Sequence, residues 1–165
     1  MKDWERYEET ARQILKRLRE YFGLSDVQGK QTLQGASGTY WEVDALATTE
    51  SSHKYVIIEC RLTKQRQSQA NLGALAFIIQ DIGGERGIIV TPKPLQKGAG
   101  LIAQAENIMH FKLQPSSTID NFIAEALGKM FLGLPSLGDT SRIDPPVIGH
   151  GCCIQVPDSK GQEDS

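Results

Sequence analysis

Trp4, Tyr7, Ala11, Ile14, Leu15, Leu18 and Phe22 return at three- and four-residue intervals. That is the apolar stripe of an amphipathic helix over residues 3–22, with Gly23 as its stop. The opposite face mixes both signs of charge, including Glu8, Glu9 and Arg12, and reads as solvated surface. Residues 24–38 contain Ser25, Asp26, Gly29, Gly35, Ser37 and Gly38 and read as loop around one weak strand at 30–34. Alternation then sets in. Over 39–48, Trp41, Val43, Ala45 and Ala47 share one face, and Tyr40, Glu42, Asp44 and Leu46 share the other. The polar link TTESSH reads as a turn. Over 54–61, Val56, Ile58 and Cys60 alternate with Tyr55, Ile57, Glu59 and Arg61. The apolar density of this segment predicts an interior strand covered on both sides, which makes the acid at its end conspicuous.

A helix over 65–80 begins with polar residues and continues through Leu72, Leu75, Ala76, Phe77 and Ile79 to Gly83 and Gly84. Gly87 to Thr91 reads as a buried strand ended by Pro92 and Pro94. A third helix follows at 101–108, an edge strand at 111–113 and a fourth helix at 117–129. Periodicity is lost from residue 132 onward. The expected organisation is one domain over 1–131 and an irregular tail over 132–165. The order of elements implies an α/β sandwich with a small mixed sheet. Its early strands form an antiparallel pair, and a helical crossover joins two parallel strands.

The 165 residues carry 18 Lys+Arg against 20 Asp+Glu, which excludes a generally basic, histone-like protein. Charge is unevenly spread. Between Lys54 and Lys97 there are seven Lys/Arg and three acids, a local balance of 7 − 3 = +4. Lys64, Arg66, Lys93 and Lys97 are the candidates for a phosphate-contacting rim, and dispersed surface charge is the plainer alternative. No apolar run is long enough for a membrane span. The three cysteines (Cys60, Cys152, Cys153) form no disulfide framework and no zinc-ligand spacing, which suits a cytoplasmic protein with reduced thiols. Trp41 reads as core, and His53 and His110 read as surface residues.

Asp44 and Glu59 are the residues to single out. Each lies at or near the end of an expected interior strand. If the strands are neighbours, the two carboxylates come within about 5 Å of each other. Two ionised carboxylates that close repel unless a cation joins them, and oxygen ligands select Mg²⁺ or Mn²⁺. Arg61 lies on the same strand face as Glu59. Two acids with a cation beside them suit phosphodiester hydrolysis, with the cationic side chain on the phosphate. Solvated strand-end charges and a buried Asp44–Arg61 salt bridge are the plain alternatives.

The segment GTYWEVDALATTESSHKYVIIECRLTK resembles the core of the PD-(D/E)xK nuclease superfamily, the restriction-endonuclease-like fold. The motif falls on Asp44 and on Glu59-Cys60-Arg61. The stretch ERGIIVTPKPLQKGAGLIAQAENI resembles the Mrr-type branch and the archaeal junction resolvases. The resemblance implies an αβββαβ core and a DNA endonuclease dependent on Mg²⁺ or Mn²⁺. It implies metal ligation by Asp44, Glu59 and the Cys60 carbonyl. It also implies assistance from an acid on the first helix, Glu8 in preference to Glu9, and from a glutamine on the second, Gln69 in preference to Gln80. The motif lysine is replaced by Arg61, which keeps the charge but cannot exchange a proton near neutral pH. Lys64, three residues on, is the candidate substitute.

Two readings compete with an active nuclease. One is a degenerate nuclease fold, weak or inactive, that binds DNA or a protein partner. The other is an acid–base hydrolase using the same carboxylates. A homodimer is compatible with the two strands of DNA, although no residue requires one.

Overall fold

In the computed structural model, residues 1–124 are described. The tail over 132–165, the domain boundary at 131 and the end of the fourth helix lie outside them. Helix α1 (Asp3–Arg17) buries Tyr7, Ala11, Ile14 and Leu15. It ends a turn earlier than its stripe predicts. Residues 18–23 wind down through turns to Gly23, whose φ of 62° suits glycine. Phe22 turns inward edge-on against Phe111, and the Arg86 guanidinium donates to the carbonyls of Phe22 and Gly23.

Strand β1 (Leu24–Gln28) occupies a stretch that reads as loop. A register irregularity between Leu24 and Asp26 breaks its alternation, and only Leu24 and Val27 are buried. Strand β2 (Gln31–Gln34) pairs with β3 (Tyr40–Val43) as a separate two-stranded sheet. Strand β4 (Ala45–Thr49) belongs to the main sheet. The expected single strand at 39–48 is therefore two strands, divided at Asp44. The break reverses the alternation. Val43 packs with Leu46, Ile57 and Leu72, whereas Ala45 and Ala47 pack on the other side of the sheet with Val56 and Ile58.

The main sheet continues with β5 (Tyr55–Cys60), β6 (Arg86–Thr91) and β7 (Ile108–Lys112), in the order β1-β4-β5-β6-β7. Pairing is antiparallel for β1–β4 and β4–β5, and parallel for β5–β6 and β6–β7. Helix α2 (Gln69–Ile82) makes the crossover from β5 to β6, and α3 (Lys97–Ala105) the crossover from β6 to β7. One face of the sheet packs on α1 and the other on α2 and α3. The expected mixed sheet flanked by helices is the observed architecture. Helix α2 starts at Gln69, with Ser68 capping the Asn71 N–H, and residues 65–68 are loop. Helix α3 starts four residues earlier than predicted. Gly98 sits inside it because a Cβ there would collide with the Gln69 amide oxygen across the helix pair.

The hairpin β2–β3 is fastened to α2 at its tip. Asp81 accepts from the Ser37 N–H at 2.8 Å, the Ser37 hydroxyl at 2.7 Å and the Trp41 indole at 2.7 Å. The Trp41 and Ser37 bonds hold the Asp81 carboxyl below its ordinary pKa. A Cβ on Gly35 would collide with that carboxylate. Trp41 is thus half-buried, edge-on to Phe77, with its polar tip bonded, and is not a core residue. His110 is also half-buried, its Nε2 2.8 Å from the Thr91 hydroxyl, while His53 is exposed.

Leu72 is fully buried between α2 and the sheet. Leu72→Ala is expected to cost roughly 2–5 kcal/mol through lost contacts and a residual cavity, read from urea unfolding midpoints.

Candidate functional site

The sheet topology gathers the chemistry at one edge. Parallel strands β5, β6 and β7 all end there, and α2 and α3 begin there. Strand β4 runs the other way, so its first residues lie beside the last residues of β5, with Ala45 opposite Ile58. Asp44, at the bend before β4, therefore comes next to the end of β5. Its Oδ2 accepts the Cys60 N–H at 2.8 Å. This bond lets the chain leave the main sheet at Asp44 without stranding a backbone donor.

Glu59 shares its face of β5 with Ile57, toward α2, and is 4% exposed. Burial pushes its carboxyl pKa up to about 7, opposed by Arg61 and reinforced by Asp44 and Glu8. Arg61 follows on the same face. Its Nη2 lies 2.6 Å from Glu59 Oε2, its Nη1 lies 3.7 Å from Asp44 Oδ2, and the same Nη1 donates to the Cys60 carbonyl at 3.4 Å. One guanidinium thus lies within 3.7 Å of a carboxylate oxygen of each acid.

Glu8, on α1, is near the site without touching Arg61. Burial raises its pKa, Asp44 adds to the rise, and Lys30 and Arg61 oppose it. Lys30, just before β2, lies 3.9 Å from Glu8 and 3.3 Å from Glu42, with its ammonium 5.3 Å from the Trp4 ring centre. Its pKa is set by burial, which lowers it, and by Glu42 and Glu8, whose pull prevails and raises it. Lys30 stands fourteen residues before Asp44, at the start of the weak strand expected at 30–34, and no motif spacing ties it to the acids.

A pocket of about 130 Å³ opens beside the site, lined by Glu59, Arg61, Gln67 and Asn71 over a floor that includes Leu75 and Ile89. Gln67, in the polar stretch that opens the helix expected over 65–80, is 4% exposed. Its amide donates to the Thr63 hydroxyl at 3.2 Å and accepts from the Asn71 amide at 3.0 Å. Gln69 instead lies against Gly98 of α3. Asn71 and Leu75 share one face of α2, and Gln67 reaches that face from the loop before the helix through its bond with Asn71.

Lys64, Arg66, Lys93 and Lys97 are exposed on the loops and helix start at this edge. Arg66 donates to the Pro94 and Leu95 carbonyls, joining the loop before α2 to the loop before α3. Residues 61–68, 92–97 and 112–118 together hold six Lys/Arg and no Asp or Glu.

No family model matches the sequence, and no curated protein matches it. Solved structures do. AF1548, a protein of unknown function, superposes with a TM-score of 0.55 at 17% identity, over 82% of this chain and 73% of its own. EndoMS in its apo form gives a TM-score of 0.39 at 24% identity, and this chain spans about half of it, 47%. VC1899 from Vibrio cholerae gives 0.47 at 19% identity, with 32% of its length covered. The chain has the restriction-endonuclease-like fold. At these identities the likeness is one of fold.

The fold family implies a divalent cation at Asp44, Glu59 and the Cys60 carbonyl. As donors, these oxygens have the right hardness for Mg²⁺ or Mn²⁺. As placed, they do not form an open cation site, because all three face the Arg61 guanidinium. Among the described residues, no group of three or more His, Cys, Asp or Glu is disposed to hold a metal ion.

The buried Glu59 yields a pH prediction. Its folded pKa of about 7 lies above the ordinary 4.5, so its contribution to stability is full below pH 4.5 and is lost as pH rises through 7. Glu59→Gln removes that dependence. The stability of the variant relative to wild type, from urea melts, should rise between about pH 4 and about pH 8 by at most about 3 kcal/mol.

Proposed function

We propose that the protein is a DNA-binding module on a nuclease fold that cleaves weakly or not at all. The observation that carries this reading is the basic rim at the carboxyl ends of the parallel strands, where segments 61–68, 92–97 and 112–118 surround the Asp44–Glu59 pair and hold no acid of their own. Lys64, Lys93 and Lys97 are exposed there. The first turns of α2 and α3 open on the same edge, and each adds the partial positive charge of its unpaired N–H groups. Phosphate groups at regular spacing are the partner such an edge suits, and the contacts would be to backbone more than to bases. Among the described residues, no helix is long and apolar enough to cross a membrane.

Weak or absent cleavage follows from Arg61. It gives up no proton near neutral pH and already holds both acids of the motif. The second reading, a metal-dependent endonuclease, is favoured by the placement of Asp44 and Glu59 at adjoining strand ends, both within reach of Arg61. The further site assignments go with that reading: Glu8 beside the acids, Gln69 on α2, and Lys64 as the substitute ammonium. The Mrr-type branch is likewise part of it.

Duplex, single-stranded and branched DNA should each be tested in Mg²⁺, Mn²⁺ and EDTA. Binding by fluorescence anisotropy is expected to persist in EDTA. Replacing Lys64, Lys93 and Lys97 by Ala should lower the salt-dependence slope by about 2–3, near one per lost phosphate contact. Cleavage should not exceed that of Asp44→Ala. Metal-dependent cleavage lost in Asp44→Ala would establish the second reading, and no DNA binding by wild type would remove the first.

A further inference from the structure

The acids of this site face two fixed cations from the same chain. Arg61 reaches Glu59 Oε2, Asp44 Oδ2 and the Cys60 carbonyl, and Lys30 reaches Glu8 and Glu42. We infer that Arg61 is the resident cation of this site, standing where the fold family implies a divalent metal, and that it excludes Mg²⁺ and Mn²⁺ from the wild-type protein.

Three observations carry the inference. First, Glu59 is buried, and an ionised buried carboxylate demands a partner. Its Oε2 meets a guanidinium nitrogen at 2.6 Å, the distance of a charge-assisted hydrogen bond. Second, the same guanidinium reaches a backbone carbonyl and a second carboxylate on another strand. Those are the oxygens that would otherwise turn toward one ion. Third, a guanidinium does not deprotonate in a protein, so its charge stays in place at all working pH values. A divalent ion at these oxygens would have to displace the fork and endure its repulsion. Lys30 adds to that repulsion from the α1 side. No nucleic acid enters this argument, so it stands or falls apart from the DNA-binding reading.

The test is Mn²⁺ binding to the full chain by isothermal titration and by electron paramagnetic resonance of the free ion. Wild type is expected to show no saturable binding at millimolar Mn²⁺. Arg61→Ala should bind Mn²⁺ roughly tenfold more tightly or better, because the oxygens lose their internal partner. Arg61→Gln keeps hydrogen-bond donors beside Glu59 without the charge and guards against a folding defect in the alanine variant. It should also gain binding. Adding Asp44→Asn to either variant should abolish the gain. Saturable binding to wild type as tight as to the variants would overturn the inference. So would absence of binding to all of them, because the oxygens would then be no cation site at all.

Discussion

A carboxylate at the end of an interior strand imposes a condition on everything around it. Glu59 lies between the sheet and α2, where ionisation is costly, and the chain answers with a guanidinium two residues later on the same strand. Period-two geometry makes this possible, since residues 59 and 61 project to one side. The same guanidinium reaches Asp44 because β4 begins where β5 ends. One electrostatic demand thus links two strands and a backbone carbonyl into a single unit.

The hairpin β2–β3 depends on a second fastening, at the opposite end of α2. Asp81 gathers three donors from the turn and from Trp41, while Val43 and Leu33 pack on the α2 side of the sheet. The hairpin is therefore held at its tip by polar bonds and at its base by the Asp44 bond to the Cys60 N–H. Helix α2 carries the Asp81 end and the Gln67–Asn71 end of this arrangement. It registers the hairpin against the pocket beside Glu59.

Much of this was legible in the sequence. The dense alternation of β5 and the apolar run of β6 form where the sequence puts them, and α1 follows its stripe as far as Arg17. The placement of Asp44 and Glu59 at adjoining strand ends, with Arg61 near both, also follows from strand ends and alternation. What escaped has local physical causes. Strand β1 carries a register irregularity, so its period is erased. The bend at Asp44 changes the face on which Val43 lies, a reversal that strict alternation hides. Gln67 is buried by a side-chain network with Thr63 and Asn71, and polar composition alone points the other way. Lys30 reaches the acids through tertiary proximity, and no sequence interval encodes that.

Asp44 has one duty that concerns no reaction. Its carboxylate closes the backbone where the chain passes from one sheet to the other, so both layers inherit their alignment from it. Without that carboxylate the Cys60 N–H would be left unpaired at the seam where the two sheets part.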